Sequence, residues 1–188
     1  MKKLLTVLVF CLLLCSCASA ATIPGYSGST SQSGSAYGAT LSFSKKSFAG
    51  GQMLPVYTGP GYEYYRVGRA SVSTDETIWM AGREGDWALV MYQKNGGGFR
   101  SGYVDASKLM YRLGGRSLNL VSRKATMVRD CTMTDDPKNI SSSICMLSAG
   151  ESVTFLADYT DHHEWAYIEA WAEMPIRGFV LMSDIRIQ

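Results

Sequence analysis

Histidine is almost missing from this chain. Two occur in 188 residues, His162 and His163, and they are adjacent. Neighbouring side chains on a strand point to opposite faces, so the pair makes a poor metal site. With Asp158, Asp161 and Glu164 they read as an acidic, solvated turn, and no metal is expected. A cysteine peptidase would have to draw its base from the same two residues, and Cys145 with His163 is a weak candidate dyad. The carboxylate pairs Asp75-Glu76 and Asp135-Asp136 sit in turn-like segments with nothing to set them across a cleft. No glycine-rich phosphate loop precedes a helix, and Asn95-Gly96-Gly97-Gly98 reads as a hairpin tip. No catalytic residue and no cofactor are expected, and the chain reads as a non-enzyme.

Net charge is also lacking. Of 18 Lys and Arg, Lys2 and Lys3 fall in an N-terminal leader; without them basic and acidic residues balance at 16 each. A nucleic-acid partner would call for a basic stripe, and none is present. Long apolar runs are missing beyond residue 20, so no transmembrane span is expected. Residues 1–20 carry a basic start, an apolar run from Leu4 to Leu14 and the small-residue site Ala18-Ser19-Ala20, the order of a signal peptide. The expected location is secreted or on the extracytoplasmic cell surface. A second reading takes Leu14-Cys15-Ser16-Cys17 as a loose lipobox with a lipid anchor at Cys17.

Removing the leader takes three of the five cysteines and leaves Cys131 and Cys145. An even pair in an exported chain is expected to form a disulfide, with two buried thiols as the alternative.

What remains is rich in aromatic and β-branched residues set between glycine turns. Residues 21–52 are Ser- and Gly-rich and poor in aliphatics, and read as a flexible tether, although Leu41-Ser42-Phe43-Ser44 alternates like an edge strand. From Trp79 to Leu109 the chain reads as strands flanking two glycine clusters, the pattern of hairpins. The layout recurs. Trp79-Met80-Ala81 matches Phe155-Leu156-Ala157, Asp86-Trp87-Ala88 matches Glu164-Trp165-Ala166, and Gly102-Tyr103-Val104 matches Gly178-Phe179-Val180. Two units are expected, 53–115 and 116–188.

Both units resemble bacterial SH3 (SH3b) domains. In the first, the resemblance rests on Val56-Tyr57-Thr58-Gly59-Pro60-Gly61, Asp86-Trp87-Ala88-Leu89-Val90 and Gly102-Tyr103-Val104. In the second it rests on Glu164-Trp165-Ala166-Tyr167-Ile168 and Gly178-Phe179-Val180, while Arg129-Asp130 stand where the opening turn would be. The resemblance implies an all-β fold of two small SH3-like barrels in tandem. It also implies a non-catalytic cell-envelope module that recognises peptidoglycan or its stem peptide. The rival is an adaptor for an extended or Pro-rich segment of a secreted protein. Aromatic side chains are the expected ligand contacts: Tyr57, Tyr62, Tyr64, Trp87 and Tyr103 in the first unit, Trp165, Tyr167 and Phe179 in the second.

Overall fold

The structure is a computed structural model that describes residues 37–48, 50–109, 116–137, 139, 142–159 and 164–188. The leader with Cys17, the last expected strand of the first unit (110–112) and the pair His162-His163 lie outside the described residues.

The fold is all-β, in several sheets, none closed into a barrel; among the described residues the helical content is three single 3-10 turns. The first half is built from β2 (Ser44–Lys46), β3 (Met53–Pro55), β4 (Ser71–Ser73), β5 (Ile78–Glu84), β6 (Trp87–Gln93) and β7 (Phe99–Asp105). These form a four-stranded sheet, β2-β5-β6-β7, and the ribbon β3-β4. The second half holds β8 (Arg123–Met127), β9 (Cys131–Thr134), β10 (Ser143–Leu147), β11 (Ser152–Tyr159), β12 (Trp165–Trp171), β13 (Pro175–Leu181) and β14 (Ile185–Ile187). Its sheet runs β10-β9-β13-β12-β11-β8-β14, and a short strand β1 (Thr40–Leu41) joins the side of β11.

The central strands are apolar on both faces, because both faces are covered. Ala88, Val90 and Tyr92 of β6 point into the first half's own core with Leu54, Val56 and Val104. Leu89 and Met91, one residue out of phase, point the other way. With Trp79 and Tyr103 they meet Tyr159, Trp165, Tyr167 and Phe179 of the second half. Ala166, Ile168 and Ala170 of β12 fill the second half's core. The two halves are therefore joined by a third apolar layer. A large side chain buried there contributes about 1.5–3 kcal/mol.

By strand pairing β5-β6-β7 corresponds to β11-β12-β13, with two corrections to the match read from the sequence. Both β5 and β11 bulge, the first between Met80 and Gly82, the second between Phe155 and Ala157. Met80 faces Val90 as Phe155 faces Ile168, so Phe155 corresponds to Met80 and not to Trp79. Tyr57 bridges Tyr103 as Thr134 pairs with Phe179, so Thr58-Gly59-Pro60 corresponds to Asp135-Asp136-Pro137. The second unit's opening turn is there, not at Arg129-Asp130. Gly102 and Gly178 are matched by close approach. A Cβ on Gly102 would lie 2.6 Å from the Tyr57 carbonyl oxygen, and one on Gly178 2.8 Å from that of Thr134.

The segment expected as a flexible tether is built into the fold from Tyr37 onward. Ala39, Leu41, Phe43 and Phe48 are buried. β1 runs parallel to the end of β11, with Leu41 beside Tyr159, before the chain crosses to the first half as β2. The link between halves does the converse. The Arg83 amide donates to the Arg116 carbonyl and the Leu118 amide to the Arg83 carbonyl, laying this link along the end of β5 before β8 begins. Each half thus has the other's lead-in on its edge.

Cys131 and Cys145 are free thiols, contrary to the expected disulfide. They lie on the paired strands β9 and β10, but Cys131 faces Leu147 and Cys145 faces Met133. This diagonal offset keeps Cβ atoms beyond the roughly 3.5–4.5 Å that a disulfide needs. Burial pushes both thiols up to about 11.

Candidate functional site

Three of the expected contact residues come together. Tyr57, Tyr62 and Trp87 form a mutual edge-to-face cluster, with ring centroids 5.6 Å apart for Tyr57–Tyr62 and Tyr57–Trp87 and 4.9 Å for Tyr62–Trp87. Edge-to-face contact is the favoured arrangement of aromatic quadrupoles. Trp87 opens β6 directly after the Gly85 turn, and its ring lies at the edge of the inter-half layer. Tyr57 reaches the same face because its backbone exchanges hydrogen bonds with Tyr103 (2.9 and 2.7 Å). Tyr62 is 63% exposed and is held by its hydroxyl, which donates to Asp105 Oδ2 at 3.1 Å. That bond, with the nearby charge, raises the Tyr62 pKa. Asp105 is itself stabilised as a carboxylate by the Ser107 hydroxyl and amide, which hold it below its ordinary range. The Arg66 guanidinium lies 5.9 Å from the centroid of the Tyr57 ring.

The other expected residues go elsewhere. Tyr64 turns away from Tyr62 and lies on the junction between halves, where its hydroxyl donates to Glu169 Oε2 at 2.8 Å. Burial, helped by that bond, pushes its pKa up to about 12. Tyr103 is fully buried. Trp165, Tyr167 and Phe179, expected as a second groove, are buried in the layer between halves. They present no surface because the first half covers them.

Sequence reasoning missed the charged group beside the cluster. Arg177 on β13, 8% exposed, donates Nε to Glu169 Oε2 at 2.6 Å and Nη1 to Glu84 Oε2 at 2.7 Å and to the Tyr103 hydroxyl at 3.0 Å. Its guanidinium also lies 5.4 Å from the Tyr64 ring centroid. Burial opposes the charge, but Tyr103, Tyr167 and the two carboxylates outweigh it and hold the pKa above the usual arginine range. The one available signal was an arginine and a glutamate at inward positions of strands β13 and β12, opposite each other across the pairing.

Among the described residues no group of three or more His, Cys, Asp or Glu could hold a metal ion, and no helix is long and apolar enough to cross a membrane. A polar concavity of about 410 Å³ lies at the other end of the first half, lined by Glu76, Lys94 and the Asn95–Gly97 tip. It contains no aromatic residue and none of the expected contacts.

No family model matches the chain, and no curated protein matches it. Among solved structures it is similar to NlpC2 from Trichomonas vaginalis, at 14% identity and a TM-score of 0.33, over 79% of this chain and 49% of that one. It is also similar to NlpC1 from the same organism, at 15% identity and a TM-score of 0.31, over 88% of this chain and 52% of that one. The chain spans about half the length of these proteins. Likeness this slight carries no argument about fold or activity.

Proposed function

We propose that this is an exported, non-catalytic binding protein made of two SH3b-like units, and that it takes cell-wall glycopeptide at the Tyr57–Tyr62–Trp87 cluster. The observation that carries this reading is Tyr62: a large aromatic side chain left 63% exposed, packed edge-to-face against two others and fixed by a hydrogen bond. Rigid aromatics that keep a polar handle give large contact area at low entropic cost. The matching position in the second unit supports one such site rather than two, since Trp165 is buried. The resemblance of both units to SH3b domains supplies the ligand class.

The test is co-sedimentation of the mature protein with purified cell walls before and after muramidase digestion. Tyr62→Ala should lower the bound affinity by about tenfold or more, the loss typical of a hot-spot aromatic. Its melting temperature should stay unchanged, because little of Tyr62 is buried. Wild-type-like wall binding by folded Tyr62→Ala would remove the cluster from the site. Binding to no wall, but to a proline-rich peptide, would move the reading to a secreted-protein adaptor.

A further inference from the structure

The repeat allows one edge of the junction to be compared with the other. At the edge away from the aromatic cluster, the layer between halves ends in Tyr159, Trp165, Met91 and Ser101, all buried. By strand pairing, the matching positions at the near edge are Glu84, Trp87, Glu169 and Arg177. At these four positions the far edge carries neutral side chains, and its charge is a one-to-one pair, Arg100 Nε to Asp135 Oδ2 at 2.6 Å with Asp135 buried, whereas the near edge sets two carboxylates on one guanidinium. Glu84 and Glu169 keep 36% and 30% of their side-chain surface in solvent.

The difference continues outward. Trp171 follows Glu169 on the same face of β12, about 7 Å further along the strand. It is 70% exposed, and its counterpart across the repeat is Gln93. The loop that carries Tyr62 is tied to this hairpin, because the Tyr65 amide donates to the Pro175 carbonyl at 3.2 Å and Pro175 pairs with Trp171. A continuous strip therefore runs from Trp87 and Tyr62, over Tyr64, Glu84, Arg177 and Glu169, to Trp171.

We propose that this strip is one ligand groove crossing the junction, with Trp171 as its far wall, and that it takes an extended peptide bearing a free ammonium group. The claim rests on the reading that the Tyr62 cluster binds cell-wall glycopeptide, and it names the part bound. Charge complementarity selects the ammonium. Two carboxylates share one guanidinium, which leaves an uncompensated negative charge on the groove floor between aromatic faces, a setting that favours a cation. Two separate sites on one chain would give avidity; a single groove gives affinity only when both halves are present.

The experiment uses the full mature chain and muramidase-solubilised wall fragments, native and with their amino groups acetylated. Trp171→Ala should weaken binding of native fragments about tenfold, at unchanged melting temperature, whereas Gln93→Ala on the opposite edge should bind like wild type. Acetylation should weaken wild-type binding by a similar factor. Wild-type-like binding by Trp171→Ala, alongside loss in Tyr62→Ala, would confine the groove to the first half and leave the broader function standing. Equal affinity for acetylated fragments would overturn the ammonium. Equal loss from Gln93→Ala would overturn the assignment of one edge. Failure of the wild type to bind either fragment would overturn both this groove and the function it rests on.

Discussion

At the scale of single residues, the junction sets the sharpest expectations. Arg177→Met would leave Glu84 and Glu169 facing each other without a cation. Breaking a fully buried pair costs roughly 3–5 kcal/mol; here both carboxylates keep about a third of their surface, so about 2–3 kcal/mol is expected in a denaturant titration. Gly178→Ala is a steric test. Its Cβ would fall 2.6 Å from Met133 Cγ and 2.8 Å from the Thr134 carbonyl oxygen, an overpacking that should cost about 1–3 kcal/mol by the same measurement. Both glycines could be read from the repeat, since Gly-aromatic-Val recurs. Arg177 could not be assigned, because which charged side chain is buried depends on which face of β13 meets the other half, and strand alternation alone does not reveal that contact.

At the scale of elements, β9 and β10 make the cysteines a pH probe. In the folded chain Cys131 and Cys145 hold their protons up to about 11, whereas an unfolded thiol releases its proton nearer 9. The unfolded state therefore binds fewer protons between those values. Stability should be full below about pH 9 and fall as pH rises towards 11. The denaturant midpoint measured at pH 8 and pH 10.5 checks this. A Cys131→Ala/Cys145→Ala variant should keep only the later decline owed to tyrosines such as Tyr64. Mass spectrometry after alkylation of the unfolded, unreduced protein should find two free thiols. The hairpins and their turns were legible from glycine clusters and apolar runs. The register of β5 against β11 was not: residue type matches Phe155 to Trp79 and Ala157 to Ala81, whereas strand pairing sets Phe155 where Met80 stands, and both strands carry their bulge at that same place. The disulfide expectation failed for a related reason, since an even count of cysteines says nothing about register.

At the scale of the whole molecule, the sequence pointed to two similar units and left their relation open. The apolar faces of β6 and β12 could be seen, but not that they cover each other, and residues 37–48 looked too polar to be part of any core. The shared layer makes the halves interdependent. A single cooperative transition is expected in calorimetry. A chain ending at residue 115 should be unfolded or aggregated, since Trp79, Leu89, Met91 and Tyr103 would lose their cover. A truncated half that stays monomeric with its own sharp transition would count against this.

The crossed lead-ins also bear on how the chain is made. Leu41 rests beside Tyr159, and Tyr64 meets Glu169 across 105 residues of sequence. Contacts this distant close slowly. On a ribosome adding roughly 5–20 residues per second, about 70 further residues must follow Leu109 before Phe179 arrives, a delay of roughly 4–14 s. During that interval the first half carries an apolar face with no partner. The chain is most vulnerable to aggregation while it is being synthesised, and a holding chaperone would be needed most then.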